Sequence, residues 1–247
     1  MKILASYNIK GGVGKTASAV NLAYLAARDG ARTLVWDLDP QGAASFYFRI
    51  KPKVKGGSKG IIKKHKDLEE LIKATDYEHL DLLPADFSYR NMDLVLDDAK
   101  KQAKRLLKLL RPLSEEYDYV FLDCPPSISL VSENVFHAAD ALLVPTIPTP
   151  LSLRTLEQLM HFCIKHGLKD LQLLPFLSLV DRRKNMHRQI MDQPPMILEN
   201  MLHSAIPYAS EVEQMGIQRA ALGDFAAHSR AALAFEALWQ EIKARVG

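Results

Sequence analysis

Lys10-Gly11-Gly12-Val13-Gly14-Lys15-Thr16 stands between a short apolar run at residues 2–8 (KILASYN) and a helical pattern over residues 15–29. Ala19, Leu22, Ala23, Leu25 and Ala26 make the apolar face of that helix, and Gly30 supplies its stop. Residues 32–37 (RTLVWD) read as the next strand. Strand, glycine-rich turn, helix and strand in so short a span make a βαβ unit, from which a parallel sheet follows. The turn has the chemistry of an anion cradle. Glycines let backbone N–H groups converge on phosphate oxygens, and the helix N-terminus adds partial positive charge. In such a cradle Lys15 would neutralise β- and γ-phosphates, and the Thr16 hydroxyl would take one Mg²⁺ position. The common pattern places a glycine six residues before that lysine. Here Ile9 stands there, and an additional lysine, Lys10, follows it.

Outward from this unit, further strand candidates are residues 80–84, 119–123 (YVFLD), 141–144, 171–179 and 203–206. Helical patterns separate them at 67–74, 99–113, 132–139, 151–166, 184–200 and 226–245. Runs such as YVFLD are continuously apolar, as expected of strands buried on both faces. At roughly 150 residues per domain, a chain of 247 residues fits one large α/β domain or two small ones. No repeat or Pro/Ser-rich linker divides it, so the expectation is one α/β domain over 1–247. Its architecture would be a single doubly wound, mostly parallel sheet flanked by helices. Residues 51–66 are expected to be its mobile basic loop.

Two acidic signals fall at expected strand ends. Residues 37–41 (DLDPQ) close the second strand, and Asp123 closes YVFLD ahead of Cys124-Pro125-Pro126-Ser127. Ligands of open parallel sheets sit beyond those ends, so these acids would face the phosphate cradle. Asp123 is placed there to hold a Mg²⁺-bound water. Taken singly, each acid could simply cap a turn.

Composition excludes several classes. Apolar residues are 48% and charged residues 25% of the chain, ordinary globular usage. There is no run of 18 apolar residues to span a membrane, and polar residues arrive too early for a signal peptide. Cys124 and Cys163 form no CxxC pair, and the histidines show no metal spacing. A soluble, reducing, cytoplasmic setting is expected. Cys124 reads as a small buried residue beside Asp123. The methionines at 186, 191, 196 and 201 have no helical period. Net charge is only +3, but the basic residues cluster. Arg49 and seven lysines (51, 53, 55, 59, 63, 64, 66) occupy residues 49–66 without an acid. A second block is Lys100, Lys101, Lys104, Arg105, Lys108 and Arg111, and a third is Arg182, Arg183, Lys184 and Arg188. Each alone is a solvated face.

These motifs carry a family resemblance. Residues 10–16 resemble the deviant Walker A motif of the ParA/MinD family of P-loop NTPases, whose signature lysine matches Lys10. Residues 37–41 resemble its A′ motif, and 121–127 (FLDCPPS) its Walker B segment. VPTIPTPLSLRTLEQL at 144–159, LSLVDRRKNMHRQI at 177–190 and IPYASEVEQMG at 206–216 are similar to later ParA segments, in the same order. The resemblance thus spans nearly the whole chain. It implies an ATPase using ATP and Mg²⁺ that closes into a nucleotide-sandwich homodimer. Lys10 would reach the partner's phosphates, and Lys15 would serve its own. Asp39 would orient the attacking water, and Thr16, Asp39 and Asp123 would serve the metal. The nucleotide would lie on Lys10, Gly11, Gly12, Val13, Gly14, Lys15, Thr16 and Ala17, with its base near the segments 180–182 and 207–212, at Arg182 and Pro207. Asp37 would organise the loop. Two departures stand out: Ala17 replaces a usual second threonine, and Glu211 falls at a usually basic position.

The partner set that the resemblance implies is non-specific DNA, through Arg182, Arg183, Lys184 and Arg188, and a ParB-like cargo adaptor that stimulates hydrolysis. The cargo would be a plasmid or chromosome centromere complex, or a protein body such as a chemoreceptor cluster or carboxysome. The location would be cytoplasmic and nucleoid-associated, without stable membrane insertion. The alternative is a MinD-like membrane-surface switch. Against it, the last helical pattern, with Leu233, Leu238, Trp239 and Ile242 apolar, lacks a basic polar face and should pack on the domain. A cluster-carrying relative of the fold would need the paired cysteines this chain lacks.

Overall fold

The computed structural model describes residues 1–63, 68–98 and 104–247. Its frame is one seven-stranded sheet: β1 (Lys2–Ser6), β2 (Thr33–Asp37), β3 (Lys73–Ala74), β4 (Leu80–Leu83), β5 (Tyr119–Asp123), β6 (Ala141–Thr146) and β7 (Gln172–Leu177). The order is β3-β4-β2-β5-β1-β6-β7. All pairings are parallel except β3 with β4. The doubly wound, mostly parallel fold expected from the sequence is the one observed.

Alternate residues of each buried strand feed opposite layers, as the two-residue side-chain period requires. Ile3, Ala5, Leu34, Trp36, Val120 and Leu122 join one core. Leu4, Val35, Phe121, Leu143 and Phe176 join the other. The first core is covered by α3 (Gly57–Ile62), α4 (Met92–Asp97), α5 (Arg105–Leu110), α6 (Leu130–Ala138) and α7 (Pro150–Lys165). The second is covered by α1 (Lys15–Arg28), α2 (Ala43–Tyr47), α9 (Ser210–Gln218), α10 (Leu222–Phe225) and α11 (Arg230–Val246). The remaining helix, α8 (Asn185–Asp192), follows β7. In α11, Leu238, Trp239 and Ile242 are buried as expected, whereas Leu233 is half exposed.

Several expectations need correction. Within 51–66 the sequence suggested only loop, but residues 57–62 form α3, whose Ile61 and Ile62 are fully buried; residues 64–66 lie outside the described residues. The helix expected at 67–74 is a 3-10 turn (Glu69–Leu71) followed by β3; residue 67 lies outside the described set. The helix expected at 99–113 is described from Lys104 onward, as α5 and a 3-10 turn at Arg111–Glu115. Residues 99–103, with Lys100 and Lys101, lie outside. The pattern at 184–200 stops at Asp192, because Pro194 and Pro195 cannot continue a helix; only a 3-10 turn follows, at Met196–Leu198. Residues 203–206 form no strand; beside them Val180 and Pro207 make an isolated parallel bridge. Among the described residues no helix is long and apolar enough to cross a membrane.

Candidate nucleotide site

Parallel register aligns the carboxyl ends of the three central strands. Ser6 lies opposite Asp123, and Asp123 opposite Asp37. The loop after β1 turns over these ends. Asn8 anchors it twice: its Nδ2 donates to the Pro145 carbonyl at 2.9 Å, and its Oδ1 accepts from the Lys10 amide at 2.9 Å. The Ser6 hydroxyl donates to the Lys15 carbonyl at 2.8 Å. Gly14 enters α1 at φ 93°, in the left-handed region, and a Cβ there would sit 3.0 Å from the Ser178 Oγ. Glycine is needed at that position for conformation and for room alike.

Lys15 is buried, and its ammonium donates to the Lys10 carbonyl at 2.8 Å, inside the loop. Burial lowers its pKa, opposed by the nearby Asp123, Cys124 and Asp39. The Lys10 side chain is half-buried and makes no hydrogen bond or ion pair among the described residues. Thr16 lies in the first turn of α1, with Ala17 after it.

The acids divide into two kinds. Asp37 is buried and fully engaged: Oδ2 accepts from the Ser45 amide (2.8 Å) and hydroxyl (2.7 Å), and Oδ1 accepts from the Asp39 amide (3.3 Å). The Ser45 hydroxyl in turn accepts from the Ala85 amide at 2.9 Å, tying β2 to the chain after β4. Burial pushes the Asp37 pKa up to about 6, against the Ser45 hydrogen bonds. Asp39 is half-buried, and its Oδ1 accepts from the Gln41 amide at 2.9 Å. Asp123 is the opposite case. Both its carboxylate oxygens are buried, and neither has a hydrogen-bond partner among the described residues. Burial raises its pKa well above the carboxylate range, as do Asp37 and Asp39, while the Thr16 hydroxyl and Lys15 pull it down. An orphaned buried carboxylate beside a hydroxyl and an ammonium fits a site for a hydrated divalent cation. Cys124 is buried and burial raises its thiol pKa strongly, which makes it inert packing, as expected.

The segments expected to hold the base, distant in sequence, do meet. The Val180 amide donates to Ile206 O at 3.0 Å, and the Tyr208 amide to Val180 O at 2.9 Å. Arg182 and Pro207 share the wall of a cavity of about 690 Å³ with Asp181, Tyr208 and Glu211. Arg182, Lys184 and Arg188 are exposed. Arg183 is not free: its guanidinium grips Asp181 bidentately, at 2.9 Å on each carboxylate oxygen. Ser6, Ser45 and Ser178 escaped the sequence reading. A hydroxyl ending a buried strand was the available signal for Ser6. Ser45 and Ser178 gave none: Ser45 meets Asp37 and the Ala85 amide only once the chain turns back after β2, and Ser178 meets Gly14 from the far end of the chain.

Comparison with known proteins agrees with this geometry. Residues 1–172 match the AAA_31 family, described as an AAA domain. The chromosome partitioning protein ParA of Myxococcus xanthus is 36% identical over 197 residues, covering 78% of this chain and 70% of its own length. The sporulation initiation inhibitor protein Soj of Bacillus subtilis is 32% identical over 210 residues, 83% of each. The ATP complex of McdA from Cyanothece shares the fold, with a TM-score of 0.83 over 98% of this chain and 96% of that one at 21% identity. Motifs, strand-end acids and relatives converge: the chain belongs to the ParA/MinD family of P-loop ATPases.

Proposed function

We propose that this protein is a partition-type positioning ATPase, a switch that closes as an ATP-bound homodimer, binds DNA without sequence preference and moves or places a cargo. One observation carries the reading. Lys15 is already committed inside its own phosphate loop, while Lys10, on the same loop, has no partner among the described residues. A second cation at the loop's rim, unspent in the single chain, suits phosphates presented by another copy.

In this reading the loop amides and Lys15 bind the β- and γ-phosphates, and Thr16 and Asp123 hold Mg²⁺ and its water. Bound Mg²⁺ supplies charge that stabilises the transferring phosphoryl group. Asp39 orients the attacking water, and Asp37, saturated by Ser45, fixes the loop that carries Asp39. Lys10 from the second copy adds positive charge as the transition state forms, which ties hydrolysis to dimerisation. Arg182 and Pro207 flank the base. A ParB-like partner would stimulate turnover. The buried apolar face of α11 supports DNA rather than a membrane surface as the platform, since that face is spent on the sheet.

The test is Lys10→Ala. Mass by light scattering and ATP turnover are measured together, with DNA present. The variant should bind ATP and fold but lose about 10²–10³-fold in turnover, the order expected of a group that stabilises transition-state charge. Turnover equal to the parent's would overturn the role of Lys10.

A further inference from the structure

The first basic block, residues 49–66, has no place in the reading above, yet the structure builds something from it. Lys51, Lys53, Lys55 and Lys73 rim a groove of about 550 Å³ at the β3 edge of the sheet; its floor is Ile50, Val54, Leu71 and Pro84, and Glu70 is the acid among its lining. All four lysines are exposed, and none makes an ion pair or side-chain hydrogen bond among the described residues. Their neighbour Lys63 differs, with Asp98 at 2.8 Å.

The groove wall is fixed rather than draped. The Val54 amide donates to Asp86 Oδ2 at 2.8 Å, and Asp86 Oδ1 accepts from the Ser88 amide at 2.9 Å. The Ser58 amide donates to the Ser88 hydroxyl at 2.7 Å, pinning the start of α3. A lysine on an edge strand discourages strand pairing, which accounts for Lys73. It does not account for Lys51, Lys53 and Lys55, which lie outside the strands.

We infer that this groove docks an acidic, amphipathic peptide segment of a partner protein. The rim supplies four cations for carboxylates, and the floor supplies apolar surface for the segment's other face. A DNA backbone would use the rim but leave the apolar floor empty. A membrane surface would need a protruding face rather than a cleft. A volume of this size lies within the range of built ligand sites, about 300–1,000 Å³.

The probe is a dye-labelled helical peptide of Glu and Leu, about 18 residues long so that it holds a helix, with leucines on one face. It is titrated by fluorescence anisotropy into the nucleotide-free full chain, so a negative result leaves the ATPase reading untouched. Comparison probes replace Leu by Ser, replace Glu by Lys, or are duplex DNA. The Glu/Leu peptide should bind the parent, and the Leu-to-Ser and Glu-to-Lys peptides should bind far more weakly. Combining Lys51→Glu, Lys53→Glu and Lys73→Glu should weaken Glu/Leu binding at least about tenfold, since each rim charge turns from attraction to repulsion. The triple Lys→Gln variant, which removes the charge but keeps a polar side chain one atom shorter, should show a smaller loss and covers the case of a misfolded reversal. Parent-like affinity in both variants would overturn the proposal. So would equal binding of the Ser-substituted peptide, or displacement of the Glu/Leu peptide by duplex, which would give the groove to nucleic acid.

Discussion

Asp123 pairs two features that ordinarily exclude one another, a fully buried carboxylate and, among the described residues, no hydrogen-bond donor on either oxygen. In water or in the unfolded chain its charge is solvated; in the fold it faces Asp37 and Asp39 with only Thr16 and Lys15 in mitigation. Its folded pKa lies above its unfolded value. For an acid shifted in this direction the penalty is absent at low pH, where both states are protonated. Stability is then lost as pH rises from the ordinary carboxylate range through the raised folded pKa. Asp37, with a pKa of about 6, adds to the same trend. Asp123→Asn removes the charge at nearly constant shape. The nucleotide-free variant should therefore be more stable than the parent at pH 7–8, by about 1–3 kcal/mol, the usual cost of an unsatisfied buried polar group. It should gain nothing near pH 4. Added Mg·ATP should stabilise the parent and fail to stabilise the variant. Urea melts at both pH values, with and without Mg·ATP, decide it, and an equal gain at both would show that the charge is not the cause.

At the scale of elements, what was legible in the sequence is what local chemistry dictates. β1, α1, β2 and β5 could be read because buried parallel strands are continuous apolar runs, closed here by the glycine-rich turn after β1 and by Asp37 and Asp123. β3 could not: it has two residues, both exposed, so no burial pattern exists to read. α9 hid because Met215 is its one buried side chain, and α3 because lysines and glycines surround its two isoleucines. The site follows the same division. The phosphate loop is contiguous and was visible, whereas the cavity between Val180 and Pro207 exists only after folding. The loop's dependence on a distant element yields a prediction. Gly14→Ala places a Cβ at φ 93° and against Ser178, at the end of β7. It should cost about 1–3 kcal/mol and abolish nucleotide-dependent stabilisation. Adding Ser178→Gly relieves the contact but not the dihedral, so the double variant should recover only part of the loss. Full recovery in melts would assign the whole effect to the clash. Ser45→Ala belongs to the same scale. It strips the hydroxyl from Asp37 and leaves the Ala85 amide without its acceptor, at a cost of about 1–3 kcal/mol.

Over the whole molecule, a net charge of +3 is too small for a single chain to hold DNA firmly, so the DNA binding proposed above would have to come from a local face and from its repetition. Within the third basic block the four cations are not equivalent. Arg182, Lys184 and Arg188 stand exposed, but Arg183 is neutralised in a bidentate pair whose carboxylate it holds to a pKa of about 2. A paired arginine contributes little net attraction for phosphate, and Glu211 lines the adjoining cavity as an opposing charge. Closing two chains around ATP would present the face twice, turning weak contacts into a bivalent grip. ATP-dependent duplex binding should therefore fall steeply with salt, with a log–log slope of about −0.9 for each phosphate neutralised. Lys184→Glu with Arg188→Glu should nearly abolish binding and flatten that slope while leaving ATP-dependent mass unchanged. Replacing the neutral pair, Asp181→Asn with Arg183→Gln, should leave the slope close to the parent's, because no net charge is removed. Titrating labelled duplex at several salt concentrations with ATP, with ADP and without nucleotide reads all three expectations. Equal binding in the three states would sever DNA affinity from the ATP-closed dimer, and no binding in any of them would move the platform from DNA to a protein partner.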